Sequence, residues 1–215
     1  MNYKKAIIEK INKLSGCRSP YEVFCDWVKC SAISLQNNCS THNKIWEERE
    51  KQFLQTISPY GESGSEFADM LGILSMALED NIDDVLGKVY MESELGNKGT
   101  GQFFTPFHVS RMCAELELQK EDGKRKITIS EPSCGAGGMI IASAAVLNDR
   151  GINYQNCLDV VAQDLDWKAV YMCYVQLSLL GIRAVVAQGD TLSEPYVSGK
   201  TNPERIFYTP KYMGL

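Results

Sequence analysis

At 215 residues, with 44% hydrophobic and 23% charged positions, the chain has ordinary globular composition and room for one generous domain or a small domain joined to a medium one. A net charge of −5 and a pI near 5.2 exclude a protein that holds nucleic acid through overall basicity; a strongly anionic partner requires a local basic patch or a second subunit. No apolar run reaches about 18 positions and Met1-Asn-Tyr-Lys-Lys opens no signal-peptide h-region, so the sequence predicts a soluble cytoplasmic protein without membrane contact, whose eight cysteines, lacking any Cys-x-x-Cys pair, are reduced and mostly buried.

Residues 1–95 read as a helical N-terminal domain. Ala6, Ile7, Ile8, Ile11 and Leu14 fall at helical spacing and stop before Gly16, a C′ glycine. Ser19-Pro20-Tyr21-Glu22 has the form of a capping box and opens a helix through about residue 35, with Val23, Phe24, Trp27, Val28 and Ala32 on one face. A third helix is predicted over 43–57 with Trp46, Phe53, Leu54 and Ile57 inward, a fourth from Ser65 and a fifth after Asp83.

The glycine-rich connector over 96–101 marks a change of pattern, and residues 96–215 form the second predicted domain. Helices over 108–118, 139–147 and 167–180 alternate with strands over 126–130, 158–163, 184–188 and 205–208, which predicts βαβ units and a parallel, doubly wound α/β sheet. In such a sheet ligands sit beyond the carboxyl ends of the strands. Those ends carry Glu131-Pro-Ser-Cys-Gly-Ala-Gly-Gly138, then Asp164 and Asp166, then Gly189-Asp190, then Thr209-Pro210-Lys211-Tyr212. The three glycines allow positive φ and expose main-chain N–H groups at a helix N-terminus, a setting for an anionic or polar ligand. An acid ending the second strand is placed for ribose hydroxyls, and one ending the third for an adenine amino group.

Gly101-Gln-Phe-Phe-Thr-Pro106, Glu-Pro-Ser-Cys-Gly-Ala-Gly, Ala162-Gln-Asp164 and Gly189-Asp-Thr-Leu192, in that order, resemble the modification subunits of type I restriction-modification systems and related N6-adenine DNA methyltransferases. The resemblance covers roughly residue 83 to the C-terminus. It implies a Rossmann-like S-adenosylmethionine-binding fold preceded by helices, and DNA as partner through a specificity subunit. Carried over position by position, Phe103, Thr105 and Pro106 border the methionine end of the cofactor. Glu131, Cys134, Gly135 and Gly137 form the loop beneath it. Asp164 holds the ribose, Leu165 packs on the adenine, and Asp190 bonds its amino group.

The family's Asn/Asp-Pro-Pro-Tyr/Phe motif has no intact counterpart. Thr201-Asn-Pro-Glu204 supplies Asn-Pro without a preceding strand or a following aromatic residue, so Thr209, Pro210 and Tyr212 align as the catalytic set. In this chemistry the adenine is flipped out and stacked on the aromatic ring, and its N6 attacks the methyl in line. Thr209 offers a shorter, rotatable acceptor than asparagine, a loss of about 10²–10³ in rate by analogy with deleting one preorganised contact. Lys211 adds a flexible cation. The sheet is also short relative to the family: either the chain is truncated relative to an ancestor, or its fourth strand is left as an edge for the N-terminal helices or a partner to cover. The rival readings are a non-catalytic remnant acting as an interaction module, and a methyltransferase for protein glutamine or RNA.

Plainer readings stand beside these. Asp166 is an N-cap of the following helix, Asp190 ends a strand, Phe104 is core, and His108 lies on the surface. Cys25 and Cys30 point in different directions on their helix, so Cys25, Cys30, Cys39 and His42 are not read as a metal site.

Overall fold

The computed structural model describes residues 2–16, 18–92 and 103–215; the connector over 96–101 lies outside them. Five helices come first: α1 (Tyr3–Leu14), α2 (Pro20–Cys39), α3 (Lys44–Ile57), α4 (Ser65–Asp80) and α5 (Val85–Glu92). The capping box of α2 is complete, with Glu22 N donating to Ser19 Oγ and Ser19 N to Glu22 Oε2 at 2.7 Å. Asn43 caps α3 by accepting from the amides of Ile45 and Trp46. Two expectations are corrected here. The chain leaves α1 through an extended Ser15, and Gly16 does not take a positive φ. On α3, Leu54 faces solvent while Arg49 and Thr56 are buried.

The second part contains α6 (Phe107–Glu117), β1 (Ile127–Glu131), α7 (Gly138–Asp149), α8 (Tyr154–Cys157), β2 (Leu158–Asp164), α9 (Trp167–Leu179), β3 (Arg183–Gln188) and β4 (Ile206–Tyr208). The strands lie in the order β1-β2-β3-β4. β1, β2 and β3 are parallel, Ile129 beside Val160 and Val160 beside Ala184. Alternate residues Ile127, Ile129, Leu158, Val160, Ala162, Ala184, Val186 and Phe207 pack into one core with the buried faces of α1, α2, α4, α5, α7 and α9. The helices therefore cover one face of the sheet. Over the other runs the loop after β3, held by Gln163, whose Nε2 donates to Glu194 O and whose Oε1 accepts from Tyr196 N.

β4 departs from the predicted parallel sheet. It pairs antiparallel with β3, Tyr208 opposite Val185 and Ile206 opposite Ala187. The physical reason is in the connection. A parallel return needs a crossover of a dozen residues or more, usually a helix, and Gly189, Pro195, Gly199 and Pro203 break the segment into turns and one 3₁₀ turn, Pro203–Arg205. The N-terminal helices cover the outer edge of β4 as expected: Arg49 Nη2 donates to Ile206 O at 2.7 Å and Tyr208 N to Gln36 Oε1 at 2.7 Å. Among the described residues no helix is long and apolar enough to cross a membrane.

Candidate functional site

The loop after β1 takes its shape from two left-handed glycines. Gly135 has φ +52° and Gly137 φ +94°, and Gly137 N closes a turn onto Cys134 O at 2.7 Å. Both positions are also crowded. A Cβ on Gly135 would meet the Phe104 ring at 2.9 Å, and one on Gly137 would meet Cys173 Sγ at 3.2 Å. No side chain caps α7 among the described residues, so its first amides remain open to a ligand at the positive end of the helix. Cys134 is buried, and Cys173 beside it, together with burial, holds its thiol well above the usual range. The thiol is therefore a packing group. Glu131 accepts from Ser133 N and fixes the start of the turn.

The ends of β2 and β3 converge on this loop. Asp164 Oδ2 accepts from Gly135 N at 2.8 Å, its Oδ1 from Asp166 N at 3.0 Å, and its main-chain O from Gly189 N at 3.0 Å. Each carboxylate oxygen keeps a further acceptor position, as ribose hydroxyls require. Cys134 N donates to Gln163 O, and Thr191 Oγ1 reaches across to Pro132 O at 2.6 Å. Asp190 accepts from Leu192 N, the main cause of a carboxyl pKa below the usual value, and its side chain remains exposed. Asp166 caps α9 by accepting from Lys168 N.

Three large apolar side chains stand in solvent around the loop: Phe103 (81% exposed), Leu165 (67%) and Leu192 (96%). Each is one residue from a group that touches the loop, namely Phe104 on Gly135, Asp164 on Gly135 N and Thr191 on Pro132 O. Apolar surface in such a setting is what an adenine ring and a thioether chain would cover. Thr105 and Pro106 are exposed next to Phe104, and Pro106 leads into α6. The loop, Asp164, Leu165, Asp190 and the 103–106 segment thus lie on one end of the sheet.

Thr209, Pro210 and Tyr212 do not join them. Thr209 is fully buried at the amino end of β3, where its Oγ1 donates to Ile182 O at 2.8 Å and accepts from Ala184 N at 2.9 Å. Ala184 and Gln188 are four positions apart along β3, which places Thr209 about 13 Å from the strand end that leads to Asp190. Tyr212 stacks on Tyr208 at 5.1 Å and lies under the Arg183 guanidinium. The antiparallel direction of β4 carries Thr209, Pro210 and Tyr212 to the end of the sheet opposite the glycine loop. Asn202-Pro203, entering β4 opposite the carboxyl end of β3, lies on the site's end of the sheet, with Asn202 Oδ1 accepting from Glu204 N.

Sequence reasoning missed a buried polar group behind the loop. Asp84 accepts from Gly87 N at 2.9 Å and from Gln176 Nε2 at 2.9 Å, while Gln176 Nε2 also donates to Ala136 O at 2.8 Å and its Oε1 accepts from Leu86 N. Burial raises the Asp84 pKa against these bonds. The three-residue step from Asp84 to Gly87 has N-cap spacing, the one signal available; the partner, 92 positions away, gives none. Lys168 is also buried beside the site, donating to Tyr90 OH at 2.9 Å and pairing with Asp166 at 3.2 Å. Burial acts to lower its pKa, and Tyr90 and Asp166 outweigh it and raise the value.

The family described as N-6 DNA Methylase matches residues 81–214. No curated protein matches the chain. Among solved structures, one similar fold is a Listeria monocytogenes protein assigned to the class I S-adenosylmethionine-dependent methyltransferases, with TM-score 0.56 and 12% identity over 91% of this chain and 54% of that one. Another similar structure is a type I restriction-modification methyltransferase subunit from Streptococcus thermophilus, with TM-score 0.43 and 17% identity over 88% of this chain and 44% of that one. The chain spans about half the length of these two structures.

Proposed function

The chain belongs to the N-6 DNA methylase family, and on that premise we propose that it is an S-adenosylmethionine-binding, N6-adenine DNA methyltransferase-like protein of restriction-modification type. The observation that carries the reading is the convergence of Asp164 and two left-handed glycines on one loop ringed by exposed Phe103, Leu165 and Leu192. The residues fit the donor: the left-handed glycines turn the chain so that, among the described residues, no side chain caps the first α7 amides, and those amides with the Asp164 and Asp190 carboxylates match its polar groups.

In this reading the α7 amides receive the carboxylate of the donor, and Asp164 accepts from its ribose. Leu165 covers one face of the adenine and Asp190 accepts from its amino group. Phe103, Thr105 and Pro106 border the methionine end, above Glu131 and Cys134. Bound there, the donor supplies an electrophilic methyl group on sulfonium sulfur. Asp84 and Leu86, at the end of the helical part, brace the loop through Gln176. DNA and a specificity subunit are the proposed partners, in the cytoplasm.

The burial of Thr209 at the amino end of β3, about 13 Å from the strand end that leads to Asp190, favours donor binding without transfer by this chain alone, because in-line attack requires reacting atoms about 3–3.5 Å apart. Titration calorimetry with S-adenosylmethionine is the first test. The reading expects one site, weakened at least tenfold by Asp164→Ala; no heat with the unaltered protein would overturn it. Methyl transfer to unmethylated DNA by the isolated chain would overturn the narrower statement about transfer.

A further inference from the structure

A second cleft, of about 530 Å³, lies between α2 and α3 on one side and α9 with the entry to β4 on the other. Its volume is within the range of small-molecule sites, about 300–1,000 Å³. Arg49 is only 8% exposed, yet it makes one hydrogen bond, from Nη2 to Ile206 O, and lays its guanidinium 4.4 Å from the Phe207 ring centroid. Buried charges are normally paired. Among the described residues neither Arg49 nor Lys29, which lines the same cleft, forms an ion pair.

The carboxylates of the cleft repair this only through space, by the attraction of Glu204 for Arg49. Glu48 reaches only Lys51, at 3.9 Å, Glu204 forms no ion pair among the described residues, and Arg205 is bonded to Glu194 outside. The apolar wall is aromatic. Trp167 stacks on Tyr171 with centroids 5.4 Å apart, meets Phe207 edge-on and remains 37% exposed. Phe207 touches both indole and guanidinium, so a flat hydrophobic platform and two cations without an ion pair among the described residues share one cavity.

A simple inorganic anion needs no platform, and an uncharged ring needs no cations. We propose that this cleft is a second ligand site that takes a nucleotide unit, its base stacked on Trp167 and its phosphate held by Arg49 and Lys29. The unit is a nucleoside monophosphate, free or as one residue of a DNA strand. The site answers the acidity of the chain, since at a net charge of −5 a phosphate is favoured where cations stand locally without an ion pair. It uses no residue of the glycine loop, so it stands or falls apart from donor binding.

The test follows tryptophan fluorescence of the intact chain during titration with dAMP, with deoxyribose 5-phosphate and with a short single-stranded oligodeoxynucleotide, each with and without saturating S-adenosylmethionine. Expected are saturable quenching by dAMP that disappears in Trp167→Phe and a loss of at least tenfold in affinity in Lys29→Glu. That second variant changes a half-buried side chain outside the core and keeps the test open if Arg49→Met fails to fold. Oligonucleotide binding tenfold tighter than dAMP assigns the site to a DNA strand, and equal binding assigns it to free nucleotide. No quenching, deoxyribose 5-phosphate binding as tightly as dAMP, indifference to Lys29→Glu, or displacement by S-adenosylmethionine would each overturn the proposal.

Discussion

Thr209→Val separates a structural threonine from a catalytic one. The substitution keeps shape and volume and deletes an oxygen that is 0% exposed, donates to Ile182 O at 2.8 Å and accepts from Ala184 N at 2.9 Å. Two buried main-chain groups lose their side-chain partner. A hydrogen bond contributes about 1 kcal/mol net and an orphaned buried group costs about 1–3 kcal/mol, so the expected loss is about 2–4 kcal/mol. For a chain of this size that lowers Tm by about 5–15 °C. Urea unfolding followed by far-UV circular dichroism measures the loss, and calorimetry with S-adenosylmethionine should return an unchanged affinity. Stability within about 0.5 kcal/mol of the unaltered protein would refute the reasoning. So would methyl transfer to DNA gained by Thr209→Asn with Lys211→Pro, the pair of changes that restores the family motif.

Asp164→Asn replaces one acceptor oxygen with a donor beside Gly135 N, so donor affinity should fall at least tenfold by calorimetry while the fold is retained by circular dichroism. Gly137→Ala forces φ +94° on a residue with a Cβ and brings that atom 3.2 Å from Cys173 Sγ; a loss of about 1–3 kcal/mol in urea unfolding is expected, and no loss would contradict the loop geometry. Glu66 has its pKa lowered from 4.5 to about 2 by Lys10 and then Lys13. A carboxyl with a depressed folded pKa stabilises above its unfolded value and loses that contribution as pH falls through the folded one, so the stability gap between the unaltered protein and Glu66→Gln should close between pH 4.5 and about 2 in acid titrations.

Local chemistry made much of the fold legible. Ser19 and Glu22, and Asn43 before α3, fix two helix starts through bonds between near neighbours, and the alternation of apolar runs located all four strands to within a residue or two. The direction of β4 was misread because the alternation of helices and strands was extended over a segment whose own residues argued otherwise. Gly189, Pro195, Gly199 and Pro203 leave no stretch for a crossover helix. Arg49 escaped notice because helical periodicity looks for apolar residues on the inner face, and a buried cation held by a strand carbonyl 157 positions away has no local signature. The cofactor-loop residues were legible as types at strand ends; the bond from Gly135 N to Asp164 that joins two of those ends belongs to tertiary structure.

Gln176 has a consequence for solution measurements. The amides of Leu86 and Gly87, near the start of α5, donate to Gln176 Oε1 and to Asp84, whose carboxylate is in turn held by Gln176; the same glutamine holds Ala136 O in the glycine loop. Hydrogen exchange at those two amides therefore reports the opening of a loop they do not touch. A ligand that rigidifies the loop should slow deuterium uptake at Leu86 and Gly87, a protection pattern that Gln176→Leu would erase.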